Sequence, residues 1–385
     1  MNKKIFFSFL FIIILTAILD VFIDRNSANR ILVLIIQLGG VILGFIAFIS
    51  YLKQKNVLVF NSWLTSFIIL ITFYAIFSNN FISQYPRVLY SVLPFYIFYN
   101  VAKSGVVIEK SLQIFSIIMV LVSVYQLYVG YFVRMEDISG DFLNRADNVA
   151  YQLLSVMVVI SVLKPKLIHL ILISTVYLAI LISLKRGAMI SSTILFIFYF
   201  LQFKKSHKKS SKFISILGST IFLIGIPLII RKYSEILLYR FIIDESGGSG
   251  REAMYTSIFN DWLSFPFINQ IIGGGFFSLF DGLGYAHSDW FQILYDHGVL
   301  GIIIFIGIHI SLFNFRKKIK IFNQKYYFPF LGIYFVVFFK SIFSGTYMTK
   351  FDAMTYGAIG LIMGITYHRQ KQTIIKARTK RDEEN

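Results

Sequence analysis

The feature that most constrains this chain is the recurrence of long apolar runs along its whole length, each closed by charges or turn residues. Runs begin near Ile5, Ile31, Val57, Val88, Leu112, Tyr151, Leu167, Ala188, Phe213, Phe291, Tyr326 and Phe351. Crossing the hydrocarbon core takes about 20 predominantly apolar residues in helical form. In lipid, only helices or closed barrels satisfy their own backbone polar groups. Of the 385 residues, 57% are hydrophobic and 15% charged, against about 25% charged in a soluble domain. These charges are too few to cover a water-facing surface. The runs therefore predict an all-α polytopic membrane protein with about 12 transmembrane helices. Apolar character spread over the whole chain excludes a soluble enzyme on a single anchor. The first run lacks a small-residue cleavage site and reads as an uncleaved anchor.

Charge placement orients the spans. With the N-terminus in the cytoplasm and alternating crossings, 24 of the 37 basic residues fall on the cytoplasmic side, with four of the 19 acids. The cytoplasmic face then carries +20 and the remainder −2, as the positive-inside rule requires. Most of the net charge of +18 is thus topological, and nucleic acid is not an expected partner. The expected division is helices over 1–230, a large extracytoplasmic loop with short helices over 231–290, helices over 291–367 and a basic cytoplasmic tail over 368–385.

With no Cys in the chain, disulfides, zinc–thiolate sites and thiol nucleophiles are excluded. No Asp-x-Asp occurs in an outer segment, so a metal-dependent nucleotide-sugar transferase finds no support and no cofactor is expected. Four elements near the expected outer face stand out. Lys185 and Arg186 form a basic corner against the positive-inside trend, either as snorkelling anchors or as anion ligands, since guanidinium suits phosphate oxygens. Arg251 follows a Gly/Ser run (Ser246–Gly250) and opens a stretch with helical spacing in which Met254, Ile258 and Trp262 share one side. A cation in a first turn opposes the helix dipole, so Arg251 is either a solvated loop residue or a ligand. Gly273–Gly275 lacks the context of a phosphate-binding loop and reads as a hinge for close backbone approach. His287 precedes a helix that Ser288 or Asp289 can cap. Its imidazole can accept a hydroxyl proton near neutral pH, although a boundary His is often incidental. In that helix Trp290, Phe291, Leu294 and Tyr295 form an apolar face, with Asp289, Gln292 and Asp296 on another. His297 reads as structural. Lys340, inside a span, demands an aqueous cavity, a carboxylate such as Asp352, or a route to the surface.

In this order the elements resemble the O-antigen polymerase/ligase family of bacterial cell-surface polysaccharide synthesis. The resemblance runs from Ser183 to Gly301: Ser183-x-x-Arg186-Gly187-Ala188, then Gly250-Arg251 with Trp262 and Pro266. Gly273–Gly275 with Phe276 and Phe277 follow, then His287-Ser288-Asp289 leading through Gln292 to Gly298-x-x-Gly301. The chain departs from the family pattern at Lys185, where Ser is common, at Ser288, where Asn is usual, and at Asp296-His297.

The resemblance implies a GT-C-like architecture in the bacterial cytoplasmic membrane. It implies metal-independent glycosyl transfer from an undecaprenyl-diphosphate-linked oligosaccharide on the outer leaflet. Beyond that substrate and the bilayer, the expected partners are a chain-length regulator and a flippase. In the implied roles Arg186, Arg251 and Lys185 bind the diphosphate, and His287, with Asp289 as a possible orienter, readies the acceptor hydroxyl. Trp262 and Trp290 stack on sugars or belong to an interfacial aromatic belt. The leading expectation is a polymerase of lipid-linked repeat units. The alternatives are a ligase of the finished chain and a transporter of precursors.

Overall fold

The computed structural model describes residues 2–22, 30–54, 59–106, 108–129, 149–183, 185–206, 251–282, 284–346 and 352–384. The run from Phe213, the loop from Arg134, the Ser246–Gly250 segment and the side chain of Arg186 lie outside the described residues. The elements in chain order are α1 (Asn2–Phe22), α2 (Arg30–Leu52), α3 (Val59–Ile76), α4 (Phe81–Val92), α5 (Pro94–Lys103), α6 (Glu109–Tyr128), α7 (Val149–Ser161), α8 (Leu167–Ile182) and α9 (Arg186–Ser206). After the gap come α10 (Arg251–Leu263), α11 (Phe267–Ile272), α12 (Ser278–Gly282), α13 (Asp289–Phe322), α14 (Tyr327–Phe343) and α15 (Ala353–Glu384). There is no strand among the described residues.

The protein is an all-α membrane protein, and six of the described helices are long and apolar enough to cross a bilayer, against about 12 expected over the whole chain. These are α1, α2, α6, α9, α13 and the stretch from Gln324 to the end of α14; α3, α7 and α8 are apolar but shorter. At 1.5 Å per residue a 16-residue helix such as α8 reaches about 24 Å, short of the roughly 30 Å core. The run expected from Val88 is two helices. The first starts at Phe81, and the break falls at Leu93, with Pro94 at the first turn of α5. Proline is tolerated there because it has no N–H to contribute and its φ is preset for a helix.

Pro94 to Ala102 of α5 are buried without exception, and α15 packs along that helix. The contact is backbone on backbone: a side chain at Gly360 would run into the Phe95 carbonyl, and one at Gly364 into that of Tyr99. Where lipid is as apolar as Leu, such close approach through small residues is a principal source of helix association. α14 packs against α9, and α13 against α3. Past Arg369, α15 continues as an exposed basic helix.

Charged groups gather at the two ends of the bundle. At one end Lys164 pairs with Glu109 at 3.0 Å, Lys325 lies in the field of Arg369, Lys164 and Glu109, and His368 bonds the Lys103 carbonyl at 2.9 Å. The opposite end gathers the starts of α7, α9, α10, α13 and α15 and the end of α14, and it holds the residues considered next.

Candidate functional site

Local sequence places each side chain. Arg251 is the first residue of α10, whose Ile258 is buried in a small cluster that Met254 packs against, as the helical spacing predicted. Its guanidinium Nη1 donates to the Phe343 carbonyl at the end of α14, 3.2 Å away. Lys185 precedes α9 with its ammonium 5.8 Å from the centre of the Tyr151 ring. Arg186 opens α9 through its backbone. Tyr151, from α7, hydrogen-bonds Ser344, and a side chain at Gly187 would meet its hydroxyl at 2.9 Å. The start of α9 and the residues after α14 therefore share one neighbour.

His287 is exposed and adopts φ +52. This left-handed conformation is uncommon outside glycine and costs energy that surrounding contacts must supply. Its ring stands edge-on to Tyr285, 5.1 Å between centres. The partial covering of that ring, then the charges of Arg251 and Lys185, hold the imidazole pKa below its ordinary 6.5. The group is therefore neutral at neutral pH and able to accept a proton. Tyr285 donates to the Ser344 carbonyl at 2.9 Å. Burial, then the charges of Asp289 and Asp352, raise its pKa well above 10, so it stays a donor.

Ser288 occupies the position preceding α13 without making a capping bond; its hydroxyl instead reaches the Ser341 carbonyl at 3.4 Å. Asp289, fully buried, accepts from both the backbone N–H and the hydroxyl of Thr346 at 2.7 Å each through Oδ2. Among the described residues its hydrogen bonds go to Thr346 and not to His287. The polar face of α13 (Asp289, Gln292, Asp296) is the buried one, while Phe291, Leu294 and Trp290 line a cavity of about 670 Å³ with Tyr255 and Phe259. A membrane helix inverts the soluble pattern because polar groups find partners only inside the protein.

Two of the three tryptophans tie helices together. Trp262 Nε1 donates to the Gln270 carbonyl at 3.3 Å, tying α10 to α11. Trp290 Nε1 donates to Ser341 at 3.1 Å and its ring stacks on His309. Lys340 forms a buried ion pair with Asp352, the carboxylate that the cost of an intramembrane cation demanded. Close approach at the Gly-rich element also holds: a side chain on Gly273 (φ +86) would strike the Asp296 carbonyl. His297 is 1% exposed and packed on Tyr74, a structural position.

The structure thus brings Lys185, the start of α9, Arg251, His287 and Asp289 to one end of the bundle around the Phe343–Thr346 turn. Sequence reading missed that turn together with Tyr151 and Tyr285. Tyr285 stands two residues before His287 and could have been flagged by position; the turn acts through carbonyls and carries no residue-type signal.

Residues 168–306 match the family model described as O-antigen ligase. The match spans a little over a third of the chain and includes every residue of that group contributed by residues 185–289. It also contains the stretch from Ser183 to Gly301 on which the sequence resemblance rests. The chain therefore combines an all-helical membrane fold with a stretch, residues 168–306, that is similar to the O-antigen ligase family. No curated protein is similar enough to count as a match.

Proposed function

We propose that the protein is a polymerase of lipid-linked oligosaccharide repeat units, working at the extracytoplasmic face of the bacterial cytoplasmic membrane. The growing glycan passes from a polyprenyl diphosphate to a sugar hydroxyl of the next lipid-linked repeat. The acceptor oxygen bonds to the anomeric carbon, the bond from that carbon to the diphosphate oxygen breaks, and polyprenyl diphosphate leaves. Arg251, Arg186 and Lys185 hold the diphosphate and stabilise the charge that grows on it as the bond lengthens. His287 takes the acceptor proton. Trp262 and Trp290 lie beside the donor sugars. The twelve-span topology with both termini in the cytoplasm belongs to the same reading.

One observation carries this proposal. A neutral imidazole stands in the field of Lys185 and Arg251, within the stretch that matches the O-antigen ligase family model. A diphosphate is already a competent leaving group, so fixed cations and one base suffice. The test is purified protein in detergent with lipid-linked repeat units and no membrane gradient. Lengthening chains support a polymerase. No chain growth overturns it, and a requirement for a gradient overturns it in favour of transport.

The family description favours a second reading, ligation of the finished chain to another acceptor. Loss of a polymerase leaves single repeats at the cell surface, whereas loss of a ligase leaves long chains on the carrier lipid.

A further inference from the structure

Besides the contact of Tyr151 with Ser344, four bonds meet on the Phe343–Thr346 turn. Arg251 donates to the Phe343 carbonyl at 3.2 Å, Tyr285 to the Ser344 carbonyl at 2.9 Å, and the Thr346 N–H and hydroxyl both to Asp289 at 2.7 Å. From behind, the Lys340 carbonyl accepts the N–H groups of Ser344 and Gly345, each at 2.8 Å, and Lys340 is itself fixed to Asp352. Gly345 sits between the clamping side chains at φ +122. A side chain there would overlap the Tyr285 hydroxyl and come 3.1 Å from Asp289 Oδ1, so the turn closes this tightly only with glycine.

Tyr285 and Asp289 lie two residues on either side of His287. The residues that fix the carbonyl receiving Arg251 are therefore the residues that fix the ends of the His287 segment. We propose that Tyr285, Asp289 and Thr346 are positioning residues that set the spacing between the Arg251 guanidinium and the His287 imidazole through this turn. One Arg251 N–H is spent on the Phe343 carbonyl; an Arg side chain has five such donors, so the fork keeps the rest for an anion. Asp289 acts on Arg251 through Thr346 rather than on the reacting atoms. A misplacement on the order of 1 Å in such a constellation can cost about a hundredfold in rate, which is why a buried turn held from two sides would serve it.

This inference rests on the assignment of Arg251 to the diphosphate, and the experiment separates the two. Full-length protein with lipid-linked repeat units is assayed for KM and kcat as wild type and as Thr346→Val, Thr346→Ser, Tyr285→Phe and Arg251→Lys. Thr346→Val keeps the shape and the backbone bond and loses the hydroxyl's bonds to the Asp289 carboxylate and to Tyr356. It is expected to raise the KM for donor about fivefold or more, and Thr346→Ser to restore it. In an Arg251→Lys background, Thr346→Val is expected to add nothing, because both changes break one path. If Thr346→Val does not fold, Tyr285→Phe carries the same comparison. Wild-type KM in the folded variants, or effects that multiply with Arg251→Lys, overturns the positioning role. Should Arg251→Lys itself behave as wild type, the diphosphate assignment fails and the inference falls with it.

Discussion

Asp289 and Asp296 are two helical turns apart on the same face of α13, and both are fully buried. Their surroundings differ. Asp296 is closed on both oxygens, accepting Gln292 Nε2 at 2.7 Å on one and Ser278 Oγ and the Leu279 N–H at 3.1 Å each on the other. It pins the start of α12 and the Gly-rich segment to α13, while Ser78 and Tyr74 hold the same segment from α3 and the residues after it through the Phe276 and Ile272 carbonyls. Asp289 puts both of its bonds on one oxygen, and its Oδ1 has no hydrogen-bond partner among the described residues. Equal burial therefore marks two roles. A saturated carboxylate is a fastening. One left half-satisfied two residues from a strained His costs stability that a packing role alone would not require.

The largest expected effect tests that contrast directly. His287→Ala on the Asp289 side should lower kcat by about 10²–10⁴-fold, the usual worth of a general base, with the thermal unfolding of detergent-purified protein unchanged. Ser278→Ala on the Asp296 side should leave kcat near wild type. Equal losses from the two variants would erase the distinction.

Next is the support behind the Phe343–Thr346 turn. Lys340 and Asp352 are 4% and 1% exposed, and Lys340→Met leaves a buried carboxylate without its cation. Breaking a buried pair from one side costs about 3–5 kcal/mol, visible as a fall in folded yield and unfolding temperature. Lys340→Met combined with Asp352→Leu should recover most of the loss, since neither charge is then stranded. A smaller change is expected from Asp296→Asn, which keeps the shape but turns one acceptor into a donor facing donors. About 1–3 kcal/mol is the cost of leaving such a group unsatisfied. The surviving protein should keep its kcat, whereas Asp289→Asn of comparable stability should not keep its KM.

How much of this was legible in the sequence follows from which forces leave a residue-type trace. Apolar runs gave helices wherever the chain is described, because hydrocarbon leaves the backbone no other choice. The desolvation cost of Lys340 demanded a cavity, a carboxylate or a route to the surface, and the structure supplies Asp352; the Gly273–Gly275 run announced close backbone contact. Pro94 marks a break that the apolar run around it conceals. The inward face of α13 was separable as a polar stripe, but its direction depends on the solvent being lipid. The clamp on Ser344 and Thr346 could not be read, because two of its bonds end on carbonyls that every residue possesses. Gathering Arg251 and His287 in one place also required α10 to fold back on the end of α14, a contact between positions 92 residues apart.

The smallest effect is the most specific, because it reads charge at a distance rather than a broken contact. Burial, Arg251 and Lys185 all lower the His287 pKa. Catalysis by a base needs the neutral imidazole, so activity is retained above the pKa of the folded protein and lost as pH falls through it. The acid limb of kcat/KM should therefore lie below the 6.5 of a free imidazole. Lys185→Met removes one of the two cations and should move that limb upward without carrying it to 6.5, since burial and Arg251 remain. Lys185→Arg keeps the charge and should leave the limb in place. Because the measurement follows the shape of the profile, it survives a lowered overall rate in either variant. Asp296→Asn, away from the two cations, should not shift the limb. If it moved the limb as far as Lys185→Met does, the two ends of the α13 polar stripe would be one electrostatic unit, and the division of roles between Asp289 and Asp296 would not stand.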